Sequence, residues 1–280
     1  VTTSIRRPFA QVDVFGSGSC SGNALAVVLA AEGLSDEVMQ RFARWTNLSE
    51  TTFLLPPTRP EADYRVRIFT ASEELPFAGH PTLGSCHAWL SQQPGPPAPR
   101  IVQECAAGLI ELRADDGQYA FAAPPLIRQG PVEEELREQL ARGLELAPGQ
   151  LRDAQWVDNG PGWVAVLLGS SDEVLRAPTP PGTLPPLGVV GPCPPGAAHQ
   201  FEVRAFFPGG GQMIEDPVTG SLNAGIAQWL IDTDRAPAHY VARQGSVVGA
   251  DGRVSIDRDE DGTTWVGGTA VTCIQGEVDL

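Results

Sequence analysis

Three titratable side chains stand beside small or polar residues where apolar runs begin: Glu50 between Ser49 and Thr51, His80 between Gly79 and Pro81, and Asp216 before Pro217. Glu50 lies near the polar start of Leu48–Leu55, which turns apolar and reads as a buried strand. A carboxylate at such a border is expected to hold its proton to higher pH than usual and to exchange it with a carbon acid near neutrality. His80 leads into Leu83–Leu90, and Asp216 with Thr219-Gly220-Ser221 leads into Leu222–Leu230, where Leu222, Ile226, Trp229 and Leu230 share one helical face. The first amides of a helix have no intrahelical partner, and small residues let an anion approach them. Taken singly, each titratable residue has an ordinary role: a solvated strand end, a helix cap and an Asp-Pro turn. Taken together, they suit proton transfer on a small carboxylate. The amides at Gly79-His80 and Gly220-Ser221 would hold the carboxylate or a developing enolate-like oxygen. Glu50 would take and return the proton, while His80 and Asp216 orient or polarise the substrate.

Composition removes other classes. All 19 basic residues of the 280 are arginine, so no lysine can form a Schiff base or complete a phosphate-binding loop. A net charge of -15 argues against nucleic acid and anionic membranes, both of which need a basic footprint. Five scattered cysteines without a Cys-x-x-Cys pair read as free thiols, and four scattered histidines form no familiar ligand spacing, so no metal is expected. The opening Val1–Pro8 lacks the apolar core of a signal peptide and no run reaches membrane-spanning length, so a cytoplasmic location is expected.

The elements that must position these residues are short strands around two apolar helices. Strands are expected at Gln11–Phe15 and Ala24–Leu29, joined by the glycine- and serine-rich loop Gly16–Asn23. Ser35 is expected to cap a helix with Val38, Met39, Phe42 and Trp45 on its inner face, ending near Asn47. Tyr64–Phe69 follows as a strand, then a helix over 81–91, a proline-rich connection (Pro94–Pro99) and strands near 101–105, 108–113 and 118–122. The second half shows a charged helix over 131–143, strands at 163–168 and 201–207, the helix after Ser221, and strands at 239–244, 252–257 and 263–267. Arg67-Ile68-Phe69 and Arg204-Ala205-Phe206 each precede a loop that feeds a Trp-Leu helix, which suggests two copies of one unit. Strand-rich units without regular strand–helix alternation give an α+β fold of two similar domains, each a curled, mostly antiparallel sheet around one central helix. The domains are expected at 1–123, with 264–280 returning to it, and at 124–263.

Six ordered motifs resemble the PhzF-like family of phenazine-biosynthesis isomerases, related in fold to diaminopimelate epimerase. They are Val12-Asp13-Val14-Phe15 with Gly22-Asn23, Asn47–Phe53, Tyr64–Thr70, Gly79–Leu83, Glu215–Ser221 and Ala242-Arg243-Gln244-Gly245. The resemblance implies a homodimer with no cofactor or metal, the site in the cleft, Glu50 as general acid/base with His80 and Asp216, and Ser49, Gly79, Gly220 and Ser221 around the substrate. It also implies isomerisation of a small-molecule carboxylate, with a place in secondary metabolism such as antibiotic biosynthesis. Related epimerases use a cysteine from each half, and neither corresponding place here carries a thiol, which argues against two-thiol racemisation. Ala250 stands where many relatives have arginine, and the Gly16–Ser21 loop with Cys20 departs from the usual turn. A single-base epimerase and a non-catalytic small-acid binding protein remain the alternatives.

Overall fold

The computed structural model describes residues 5–95, 98, 100–115, 117–209 and 211–280; positions 96, 97 and 99 of the proline-rich connection and the first four residues lie outside them. The architecture is α+β with few helices. The chain divides into two compact units, 1–122 with 267–280, and 123–266. No helix among the described residues is long and apolar enough to cross a membrane.

In unit 1 the order is β1 (Arg6–Val14), β2 (Asn23–Val28), α1 (Asp36–Thr46), β3 (Glu50–Leu55), β4 (Tyr64–Phe69), β5 (Glu74–Leu75), α2 (Gly79–Leu90), β6 (Arg100–Cys105), β7 (Gly108–Asp115) and β8 (Gln118–Ala122). Strand β2 pairs antiparallel with β1 and parallel with β3, α1 making the crossover. Strand β4 pairs antiparallel with β3 and β5 and parallel with β6, α2 making that crossover. Ser35 and Asn47 cap α1 as expected, Asn47 adopting the left-handed conformation (φ 56°). Its inner face departs from the expectation. Met39, Phe42 and Ala43 are buried, whereas Trp45 is 77% exposed and lies on Phe42 from outside, because the seam is already filled by Phe53 and Phe9.

Unit 2 runs β9 (Arg128–Pro131), α3 (Glu134–Gly143), β10 (Asp153–Asp158), β11 (Val164–Leu167), α4 (Ser171–Arg176), β12 (Leu187–Pro192), β13 (Phe201–Gly209), β14 (Gln212–Asp216), α5 (Gly220–Asp232), β15 (His239–Gln244) and β16 (Gly252–Arg258), and β17 (Thr264–Asp279) belongs to unit 1 from 267 onward. Its pairing order repeats that of unit 1: β10–β11 antiparallel, β11–β12 parallel, β12–β13 and β13–β14 antiparallel, β13–β15 parallel, β15–β16 antiparallel. β9 pairs with β10 as β17 pairs with β1. The charged helix begins at Glu134 rather than 131, because residues up to Pro131 form β9. Strands β10, β12 and β14 and helix α4 were not expected from sequence, and β17 extends far beyond 267.

Both central helices carry a glycine at their sixth residue. An added Cβ at Gly84 would meet Leu25 Cδ2 at 2.6 Å, and one at Gly225 would meet the Val157 carbonyl oxygen at 2.3 Å. Helix α5 therefore lies directly on the backbone of β10, whereas α2 rests on the Leu25 and Val14 side chains of β2 and β1. The repeated Arg67 and Arg204 each clamp the next strand: Arg67 pairs with Glu74 and lies over Phe69, and Arg204 pairs with Glu215 and lies over Phe206.

Candidate active site

In unit 1 the starts of β2, β3 and α2 meet at one end of the sheet. Parallel pairing sets Glu50 opposite Leu25, two residues beyond Asn23, and α2 packs across β1, β2 and β3. Helix α2 begins at Gly79, so Pro81 takes its third position, still within the first turn where a missing N–H costs nothing. His80 then points into the sheet end. Its Nε2 lies 3.3 Å from Glu50 Oε2, with the two side chains 5% and 15% exposed. On the other side of the ring, Nδ1 is 3.4 Å from Asn23 Nδ2. Burial pushes the His80 imidazolium down to about 3, so the ring is neutral at pH 7 even beside a carboxylate. Ser49 is half-buried just ahead of β3, and Gly79 is buried at the helix start.

The helix is fastened below this point on two sides. Ser85 donates to Thr52 on β3 at 2.9 Å, and Gln103 on β6 donates to Thr82 at 3.0 Å while accepting from Tyr64. The loop ahead of Asn23 is folded over Asp13, which accepts from the amides of Ser21 and Gly22 at 3.0–3.1 Å. Burial raises the Asp13 pKa, opposed by those two amides. Gly22 has no room for a side chain: a Cβ would lie 2.1 Å from the Val14 carbonyl oxygen. Cys20 is exposed with φ 60°, and its thiol neighbours that of Cys273.

In unit 2, Asp216 ends β14, buried, and accepts from the Thr219 hydroxyl. Gln244 on β15 organises the turn between them. Its Nε2 donates to the Asp216 carbonyl and Thr219 Oγ1, and its Oε1 accepts from the Thr219 amide and Asn223 Nδ2, at 2.8–3.1 Å. Gly220 opens α5, and the amides of Gly220 and Ser221 belong to its first turn, which has no intrahelical acceptors. Ser221 Oγ accepts from Trp163 Nε1 at 3.0 Å, and its carbonyl accepts from Asn159 at 2.8 Å. With an acceptor position taken by Trp163, the hydroxyl is set up to donate, which suits an anion.

Sequence reasoning met Asn23 in a flexible or ligand-facing turn and Gln244 in a motif without giving either a role, and it read Trp163 only as part of a strand. Each is a polar or half-polar side chain beside an apolar run, and that is the signal that could have found them. It also missed the proximity of Cys193, His199 and Glu202, whose possible ligand atoms lie within 4.8 Å of one another. Arg253 contacts His199 Nδ1 at 3.2 Å, and an arginine can only donate there, which leaves the imidazole proton on Nε2, 3.6 Å from Glu202. A protonated Nε2 beside a guanidinium opposes a cation.

The family model described as phenazine biosynthesis-like protein matches residues 12–276. The chain is 35% identical over 298 residues to Antisense-enhancing sequence 1 of Schizosaccharomyces pombe, spanning 96% of this chain and 97% of that protein. It is 34% identical over 230 residues to trans-2,3-dihydro-3-hydroxyanthranilate isomerase of Pseudomonas aeruginosa, spanning 78% of each. Among solved structures, a PhzF-family phenazine biosynthesis protein of Enterococcus faecalis matches 99% of this chain and 100% of its own, with a TM-score of 0.79 at 24% identity.

Proposed function

The chain belongs to the PhzC-PhzF family of phenazine biosynthesis-like proteins, and from that premise we propose a cofactor-independent isomerase that moves a proton on a small unsaturated or amino-acid-derived carboxylate. The observation that carries the reading is the 3.3 Å approach of neutral His80 to Glu50 at a partly shielded sheet end. Ionised Glu50 removes a proton from carbon, the electron pair moves along the conjugated system, and protonated Glu50 returns the proton at the far end. His80, neutral and able to donate, orients the carboxyl or substrate without adding a competing positive charge. Asp216, Gly220 and Ser221 are assigned to gripping and orienting the substrate, with Ser49 and Gly79 beside the reacting carbon. The proposal includes two diaminopimelate epimerase-like domains (1–123 with 264–280, and 124–263), a homodimer, a cytoplasmic location and a role in secondary metabolism.

The first compound to test is the one named for the Pseudomonas relative, trans-2,3-dihydro-3-hydroxyanthranilate, followed by related unsaturated acids. Turnover in deuterated water should place solvent deuterium on the product carbon. Glu50→Gln should lower kcat by at least about 100-fold with an unchanged circular dichroism spectrum. A variant that kept the wild-type rate would remove Glu50 as the base. A change in optical rotation without an ultraviolet change would identify epimerisation instead.

A further inference from the structure

Asn23 begins β2, and its amide faces the one ring nitrogen of His80 that does not face Glu50. A neutral imidazole carries a single proton, and which nitrogen holds it decides what the ring can do. On Nε2 the proton meets the Glu50 carboxylate. On Nδ1 it would leave a lone pair facing that carboxylate and a ring N–H facing the Asn23 amide nitrogen, two repulsive contacts in a buried place. The arrangement free of both repulsions has Asn23 Nδ2 donating to Nδ1 and the proton on Nε2, facing Glu50 Oε2 at 3.3 Å.

We propose that Asn23 is a positioning residue that fixes His80 as the Nε2–H tautomer, so that the ring presents a donor to Glu50 and to the substrate. This rests on the reading of Glu50 and His80 as the proton-transfer pair. The device extends back along the chain. Asp13 accepts from the amides of Ser21 and Gly22, Gly22 admits no side chain, and Val14 pairs with Asn23, so the amide arrives at the ring with little freedom. Asn23 is 2% exposed and His80 4%, so water does not compete for Nδ1.

Nitrogen-15 NMR of histidine-labelled protein tests this without reference to turnover. There are four histidines, and His80→Gln identifies the signal of His80 by its loss. The wild type should show Nε2 protonated and Nδ1 bare, unchanged from about pH 8 to pH 5 because the ring titrates only near pH 3. Asn23→Asp places an acceptor against Nδ1. It should move the proton there or add a second one, raise the His80 pKa, shift the acid limb of the rate profile upward and lower kcat on the order of 100-fold with a smaller change in KM. Asn23→Leu should lower kcat without shifting that limb. A wild-type ring protonated on Nδ1, or an Asn23→Asp ring with the wild-type tautomer and titration, overturns the proposal. If instead the tautomer is as stated and Glu50→Gln retains full rate, the positioning stands and the assignment of the base fails.

Discussion

At position 80, burial outweighs the neighbouring negative charge in deciding protonation. The folded ring takes up its proton near pH 3, whereas the unfolded ring does so near 6.5. Between those values the unfolded chain binds more protons, so this residue's contribution to stability rises with pH and is lost as pH falls from 6.5 toward 3. His80→Gln should flatten the acid decline of stability across that window, read as urea midpoints at intervals of pH; an undiminished slope would assign the decline to other groups. The candidate side chains themselves are legible in the sequence because each stands where a polar turn meets an apolar run. The roles of Asn23 and Gln244 are not legible, because a polar residue at a strand end gives no sign of which group it will meet. Their partners His80 and Thr219 are 57 and 25 residues away in the chain.

At the scale of the element, the two central helices share a design but differ in tolerance. A methyl at Gly84 would press on Leu25 Cδ2 and Val14 Cγ2, side-chain atoms that can give way, whereas at Gly225 it would press on the carbonyl of Val157, which cannot. Alanine gains about 1 kcal/mol of helix propensity over glycine. Gly84→Ala should therefore end within about 1 kcal/mol of the wild type, and Gly225→Ala should lose about 3 kcal/mol, compared through urea midpoints. The small residues of both helices, the caps Ser35 and Asn47 and the strand Tyr64–Phe69 can all be read from local pattern. Strands β12 and β14 cannot. Leu187–Pro192 is short and glycine-containing, Gln212–Asp216 is polar at both ends, and each is held by pairing with β13 rather than by its own preference.

For the whole molecule, the repeated order of strand pairing is a firmer sign of duplication than the sequence offers. The Trp-Leu endings suggested it, yet with Gly79 and Gly84 laid on Gly220 and Gly225 the two tryptophans fall one position apart, and of the two only Trp229 is buried. The arginine clamps align better, since Arg67 and Arg204 sit on matching strands and grip matching glutamates. Their settings differ: Asp36, the second partner of Arg67, is largely exposed, while Arg204 and Glu215 are both buried. The sequence shows the arginines but not their depth, which depends on what α4 lays over them: Arg204 donates to the carbonyls of Val174 and Ala177.

Strand β17 is paired to β1 from Arg6–Asp279 to Val14–Ala270. A ribosome would thus release every other strand of unit 1 long before the one that shields β1, leaving that edge open during most of synthesis. A fragment of residues 1–122 should accordingly aggregate when expressed alone, and a peptide of residues 267–280 supplied alongside should keep it in solution, as light scattering would record. The nascent protein carries its own delay: the half made first waits on a strand made only after all of unit 2.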